Sequence, residues 1–197
     1  PLVRFRLDTF DLPFPFFFFY DEDNQFEVGI HEDVPITLEV DHGSGVATLD
    51  LTELDVIELA VDSGSGGLDV MLPVGLSDIQ LSSGSGSIDV VGAAEAELDM
   101  DASVGSGRIV VGFGPASTGS VNLDAGSGTI QVTLPEGVGV QVSGSNGSGT
   151  VHMPESLIKI SGQDANEGTW QTPGFEDARL QLFIRFDIGS GTLRIDY

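Results

Sequence analysis

The sequence predicts an all-β protein, a single-stranded parallel β-solenoid, or β-helix, of roughly nine 21-residue coils, and three observations carry that expectation. Gly-Ser-Gly starts at Gly43, Gly64, Gly84, Gly105, Gly126, Gly147 and Gly189, in steps of 21, 20, 21, 21, 21 and 42. Counted from the first glycine of each triplet, apolar residues recur four and six positions later, as in Leu68 and Val70, Ile88 and Val90, Ile109 and Val111, Ile130 and Val132, and Leu193 and Ile195. They recur again five and three positions earlier, as in Leu38 and Val40, Leu59 and Val61, Met100 and Ala102, Val121 and Leu123, and Ile184 and Phe186. Period-2 alternation of this kind marks a strand with one buried face, and no helical periodicity competes with it.

Each repeat therefore holds two strands, with outward positions filled by residues such as Asp69, Asp89, Gln131 and Arg194. Between them a glycine corner lets the chain turn sharply, because glycine takes positive φ without strain. The corner set is Gly43 and Gly45, Gly64 and Gly66, Gly84 and Gly86, Gly105 and Gly107, Gly126 and Gly128, Gly147 and Gly149, and Gly189 and Gly191. The serines between them, Ser44 to Ser190, are expected to stack and to satisfy backbone groups at the corner. Pro73, Pro115 and Pro135 fall at the opposite, looser corner, where a missing amide donor does least harm. Such a rod would be on the order of 43 Å long, and right-handed winding is the general preference for parallel crossovers.

One β-solenoid domain over residues 1–197 is expected, with Phe-rich N-terminal coils over 1–42, regular coils over 43–160, and a degenerate coil with an insert followed by the final coil over 161–197. The N-terminal part contains "LPFPFFFFYDED", residues 12–23, with five Phe. Counting back one period from Gly43 places a phase mark at Glu22, Phe17 and Phe19 at inward positions before it, Phe26 and Val28 at inward positions after it, and Phe5 and Leu7 one coil earlier. Phe16 and Phe18 then face outward. Burying a Phe is worth about 1.5–3 kcal/mol, so this patch predicts a cover, either a terminal cap or a partner. Phe14, Phe16, Phe18 and Tyr20 are the candidate interaction residues.

At the other end "GSGTLRIDY" completes a corner and strand and predicts an open terminal coil, with Tyr197 as a further contact residue. The double step from Gly147 to Gly189 predicts a degenerate coil at Gly168, and Trp170, Pro173, Gly174 and Phe175 a corner insertion.

Composition narrows the chemistry. With 31 acidic against 7 basic residues and a net charge of −24, the surface field repels nucleic acid and anionic lipid. There is no Cys, so neither a disulfide nor a thiolate site can form. His31, His42 and His152 lie at different phases of the repeat and do not converge on a transition-metal site. Asp21–Asn24 lacks the glycine and terminal glutamate of a calcium loop, so Ca²⁺ is a weak reading there, although a cation between stacked Asp69 and Asp89 would relieve their repulsion. The Gly-Ser-Gly steps precede strands rather than helices, unlike phosphate loops, and no Gly-x-Ser-x-Gly elbow occurs. The sequence thus gives no catalytic residue, metal ligand or cofactor. Asn146-Gly147-Ser148 matches a glycosylation sequon that the corner period already explains. No apolar run reaches membrane-span length, and an upstream signal or anchor before Pro1 is left open.

"GSGTIQVTLPEGVGVQV" and "PGFEDARLQLFIRFDIGSGTLRI" resemble the toast-rack domain, which includes the C-terminal part of the LiaF-like cell-wall-active antibiotic response proteins and merges with β-solenoid adhesin-like proteins. The resemblance covers about residues 36–197. It implies a non-catalytic cell-envelope or extracellular module for protein contact, adhesion or envelope sensing, whose partner is another protein or a second copy of the chain. The alternative is a structural subunit that assembles into an oligomer or filament through the Phe-rich coil and the open C-terminal coil.

Overall fold

The computed structural model describes residues 2–7, 35–76 and 78–197. The described residues are all-β and form one ten-stranded, mostly parallel sheet with a single 3₁₀ turn at Phe175–Asp177, a repeat fold of the β-solenoid kind. The strands are β1 (Leu2–Leu7), β2 (Ile36–Asp50), β3 (Val56–Met71), β4 (Asp78–Val91), β5 (Glu97–Gly112), β6 (Thr118–Thr133), β7 (Gly139–His152), β8 (Ile158–Ser161), β9 (Glu167–Gln171) and β10 (Gln181–Asp196). From β2 to β6 each strand pairs in parallel with the next, and triplet stacks on triplet: Ser44, Ser65, Ser85, Ser106 and Ser127 are successive partners.

Each long strand has two arms, one before and one after its triplet, and the buried side changes parity between them. In β5 Met100, Ala102 and Val104 are buried before the triplet, and Ile109 and Val111 after it. The apolar columns read from the sequence form one contiguous core, with Ile79, Leu81, Val121, Leu123, Ile184 and Phe186 in the first arms and Leu68, Ile88, Ile130 and Leu193 in the second.

Both triplet glycines are required, for different reasons. The second adopts positive φ in every triplet, 109° at Gly45 and 147° at Gly107, a region that side chains disfavour. From Gly66 onward it also lies against the backbone of the neighbouring strand: a Cβ on Gly107 would sit 1.9 Å from the Gly86 carbonyl oxygen. The first glycine is crowded without the unusual φ, and a Cβ on Gly105 would meet the Gly84 carbonyl oxygen at 2.6 Å. The intervening serines are exposed, and Ser106 and Ser127 share a hydroxyl hydrogen bond of 3.2 Å. Among the described residues these serines do not bond the backbone as expected; instead the parallel ladder itself continues through the triplets. Pro73, Pro115 and Pro135 sit in the turns between strands.

Strand order departs from chain order at the C-terminal end. The sheet runs β1-β2-β3-β4-β5-β6-β10-β7-β9-β8, so the last strand inserts between β6 and β7. Leu182 pairs with Gly119 on one side and Val140 on the other, and Ser190 pairs with Ser127 and Ser148. The expectation of an open C-terminal coil is therefore wrong, because both edges of β10 are occupied. The expected coil at Gly168 is also absent. Gly168 lies in β9, which pairs antiparallel with β7 and places Gly168 opposite Gly144, and β8 adds antiparallel to β9. The 21-residue phase at position 168 is a coincidence of spacing.

The N-terminal register differs too. β1 pairs in parallel with β2, matching Val3 to Leu38, Phe5 to Val40 and Leu7 to His42. That is the ladder position beside Leu38 and Val40 that counting back assigns to Phe17 and Phe19, and it displaces Phe5 and Leu7 from their expected places after a phase mark. Leu7 and its partner His42 are 35 residues apart, against 21 between His42 and Ser63, so the 21-residue count does not carry back across this pair.

Candidate interaction surface

The outer face of the first arms carries three columns of side chains that share register down the sheet. The column farthest from the triplet reads Thr37, Glu58, Asp78, Asp99, Ser120, Phe183 and Gln141 in strand order. Beside it run Glu39, Ala60, Gln80, Asp101, Asn122, Arg185 and Ser143, then Asp41, Asp62, Ser82, Ser103, Asp124, Asp187 and Ser145. Because strands are about 4.8 Å apart, Glu58, Asp78 and Asp99 stack as three consecutive carboxylates. Asp101 accepts a 2.8 Å bond from Asn122 Nδ2. Small residues in mid-face, Ala60, Ser82 and Ser103, leave a groove of about 550 Å³ rimmed by Asp62, Gln80 and Asp101.

The outer face of the second arms is different. Two of its carboxylates meet arginines: Arg108 lies 3.7 Å from Asp89, and Arg194 Nε donates to Asp196, which holds the guanidinium above its ordinary range. Asp50 accepts from the hydroxyl of Thr52 at 2.6 Å, and this bond holds its carboxyl below the usual range. The first-arm face has basic residues too: Arg185 stands between Asn122 and Ser143, and β1 brings Arg4 and Arg6 into register with Glu39 and Asp41.

The C-terminal end of the sheet is a built cap over the first arms. Trp170 of β9 is buried, tilted against Phe186 with ring centroids 6.2 Å apart, and Lys159 Nζ lies 4.8 Å from its ring centroid. Lys159 also donates to the carbonyl oxygens of Asp164 and Glu167. Gly144 makes room for this stack, since a Cβ there would meet Phe186 Cδ1 at 2.9 Å. Asn166 adds a bond from Nδ2 to the Gly149 carbonyl at 3.1 Å. The sequence predicts over 161–197 a degenerate coil with an insert and the final coil, and the signal for the cap as built is the chain's single Lys near its single Trp. The insert packs on the outer face, where Phe175 meets Phe183 edge-on at 5.4 Å and Leu180 is exposed.

Of the candidate contact residues, Phe14, Phe16, Phe18 and Tyr20 lie outside the described residues, as do Asp21–Asn24 and His31. Tyr197 is half exposed. His42 and His152 sit in different arms, and among the described residues no group of three or more His, Asp or Glu side chains is placed to hold a metal ion. Asn146 is buried, with Nδ2 donating to the carbonyls of Thr150 and Gly191, so the sequon amide faces the interior. Among the described residues no helix is long and apolar enough to cross a membrane.

Fold and surface define a repeat protein that displays long ladders of side chains on flat sheet faces. Residues 16–91 match the family model described as the N-terminal domain of toast_rack, DUF2154. The match falls on the N-terminal coils, whereas the sequence resemblance rests mainly on the C-terminal half. A crystal structure of a "putative cell adhesion protein" from Clostridium sporogenes ATCC 15579 is similar at a TM-score of 0.43 and 18% identity, over 85% of this chain and 57% of that one. No curated protein matches the chain.

Proposed function

We propose that the protein is a non-catalytic surface module of the cell envelope or extracellular space that works by protein contact, in adhesion or envelope sensing. The observation that carries this reading is the match of residues 16–91 to the toast-rack model, joined to a sheet whose outer faces are continuous ladders. The coils are taken to wind right-handed, as parallel crossovers prefer. No cofactor is assigned. The test is retention of the purified chain on cell envelopes of its source organism, before and after protease treatment of the envelopes. Saturable, protease-sensitive retention is expected; retention no greater than that of an equally acidic control protein would sink the reading.

A self-assembling subunit is the second reading. It is favoured by the second arms of β2 and β7, which have one ladder partner each among the described residues. Flush head-to-tail stacking nevertheless meets an obstacle. The first arm carries β9 and β8 beyond β7 at one end and β1 beyond β2 at the other, so these strands would collide before the second arms met. Electron microscopy of the purified chain separates the readings, with filaments expected only under the second.

A further inference from the structure

We infer that the inner corner of coils β2 to β4 binds ordered water, one molecule bridging His42 Nε2 and Ser63 Oγ and a second bridging Ser63 Oγ and Ser83 Oγ. The site is independent of the protein-contact reading above. It lies at the residue immediately before each triplet. In strand order that column reads His42, Ser63 and Ser83, then Val104, Ala125 and Ile188, and ends on Asn146. His42 is half-buried and the rest are buried.

Among the described residues, the buried side-chain polar atoms without a hydrogen-bond partner in the chain are His42 Nε2, Ser63 Oγ, Ser83 Oγ and Asn146 Oδ1. All four fall in this one column, and the first three stand on consecutive strands. A buried hydroxyl or ring nitrogen that gives up its bonds to solvent and gains none is costly, so buried polar groups find a partner in protein or in ordered water. Asn146 is a separate case, since its Nδ2 is already bonded to the carbonyls of Thr150 and Gly191. The other three have each other as nearest polar neighbours along the ladder.

Spacing and volume both fit water. Side chains in register on adjacent strands stand about 4.8 Å apart, too far for a direct bond unless they lean together. The exposed Ser106 and Ser127 do lean together, at 3.2 Å, whereas the buried Ser63 and Ser83 do not bond. A water about 2.8 Å from each of two atoms about 4.8 Å apart meets them at about 118°, close to its tetrahedral angle. The column also takes Val104 and Ile188 in full burial, so a serine there leaves the space of one or two carbon atoms, and a water needs about 30 Å³. A cation fits less well, because two hydroxyls and one ring nitrogen cannot replace its hydration shell and no carboxylate shares the column. Val104 ends the file on the β5 side.

The test uses the full chain and two measurements. Magnetic relaxation dispersion of water oxygen counts long-lived internal waters in the native chain and in Ser63→Val with Ser83→Val, whose methyl groups fill the file as Val104 does in β5. Thermal melts compare Ser63→Ala, Ser83→Ala and the double alanine variant, with circular dichroism to verify the fold. The valine variant is expected to lose two long-lived waters. Each single alanine variant is expected to melt about 2–4 °C lower, and the double variant to lose less than the sum, because both singles break the same bridge. Loss of fewer than two waters overturns the proposal. So does a Ser83→Ala chain that melts at or above the native temperature, the result of removing a hydroxyl that had no partner at all. If the valine variant does not fold, the alanine melts decide.

Discussion

Replacing Gly107 by Ala tests why the triplets repeat. The added Cβ would sit 1.9 Å from the Gly86 carbonyl oxygen and 2.9 Å from its carbon and nitrogen, all backbone, at φ 147°. Relief requires β5 to move away from β4 at that point, so the variant pays for an unfavourable φ, about 1–3 kcal/mol, and loses ladder hydrogen bonds worth about 0.5–1.5 kcal/mol each. A total of about 3–5 kcal/mol follows, or a melting temperature lower by roughly 10 °C for a chain of this size. Two other glycines separate the causes. Gly137 has φ 76° with nothing within 4 Å of a Cβ, so Gly137→Ala carries the φ penalty alone, about 1–2 kcal/mol. Gly67 lacks the positive φ and a Cβ there makes ordinary contacts, the nearest at 3.5 Å to Val46 Cγ2, so Gly67→Ala is expected to be neutral or stabilising by up to about 1 kcal/mol. The assay is urea unfolding of the three variants with thermal melts alongside. If Gly107→Ala costs no more than Gly137→Ala, close strand approach is not what fixes glycine in the triplet.

Lys159→Met should loosen the cap, lowering stability by about 1–2 kcal/mol through loss of the cation–π contact and two carbonyl bonds. The emission of Trp170, the single tryptophan, should move to the red and amide exchange rise over residues 158–171, with little change in β3 to β5. Expression in a glycosylating host should leave Asn146 unmodified by mass spectrometry in the folded protein, because its amide is buried and bonded. Deleting residues 181–197 should disorder 139–171 as a unit, measured by hydrogen exchange, while β3 to β5 keep their protection; a coil that merely ended the stack would leave 139–152 protected.

The inward columns were legible because burial in a sheet repeats every second residue and the triplets set the phase: Leu59, Ile88, Ile109, Ile130 and Ile184 all lie in the core. The order of the coils was not legible, for the same reason. Every coil places similar residues in the same columns, so Ile184, Phe186, Leu193 and Ile195 fit the core equally well at the end of the stack or inside it. One volume match is informative in retrospect. Gly144 stands where other first arms carry Val61, Leu81 or Leu123, and only the large Phe186 beside it fills that space. At the N-terminal end a constant period implied that Phe17 and Phe19 lie next to Leu38 and Val40, but β1 takes that place, and the 35-residue interval between Leu7 and His42 breaks the counting. On the outer face of the first arms the column of Glu58, Asp78 and Asp99 is legible six positions before each triplet, whereas Phe183 at the same phase comes close to it only because β10 inserts beside β6.

Insertion of the last strand changes what holds the C-terminal third together. β6 and β7 follow each other in the chain yet do not touch as ladder partners; β10 lies between them, joined to residues 63 positions earlier on one side and 42 on the other. The longer closure is a small thermodynamic cost, since tripling a 21-residue loop adds only about 1 kcal/mol of chain entropy. It is a larger kinetic one, because β7 and its cap have no first-arm partner on the β6 side until β10 arrives. The cap in turn buries Phe186 of β10 under Trp170, so strand and cap stabilise each other. Phe183 and its support Phe175 belong to this same late-forming unit. The Phe175–Phe183 pair therefore forms only when the final strand is in place, whereas the carboxylate column over β3 to β5 stands on ladders independent of it.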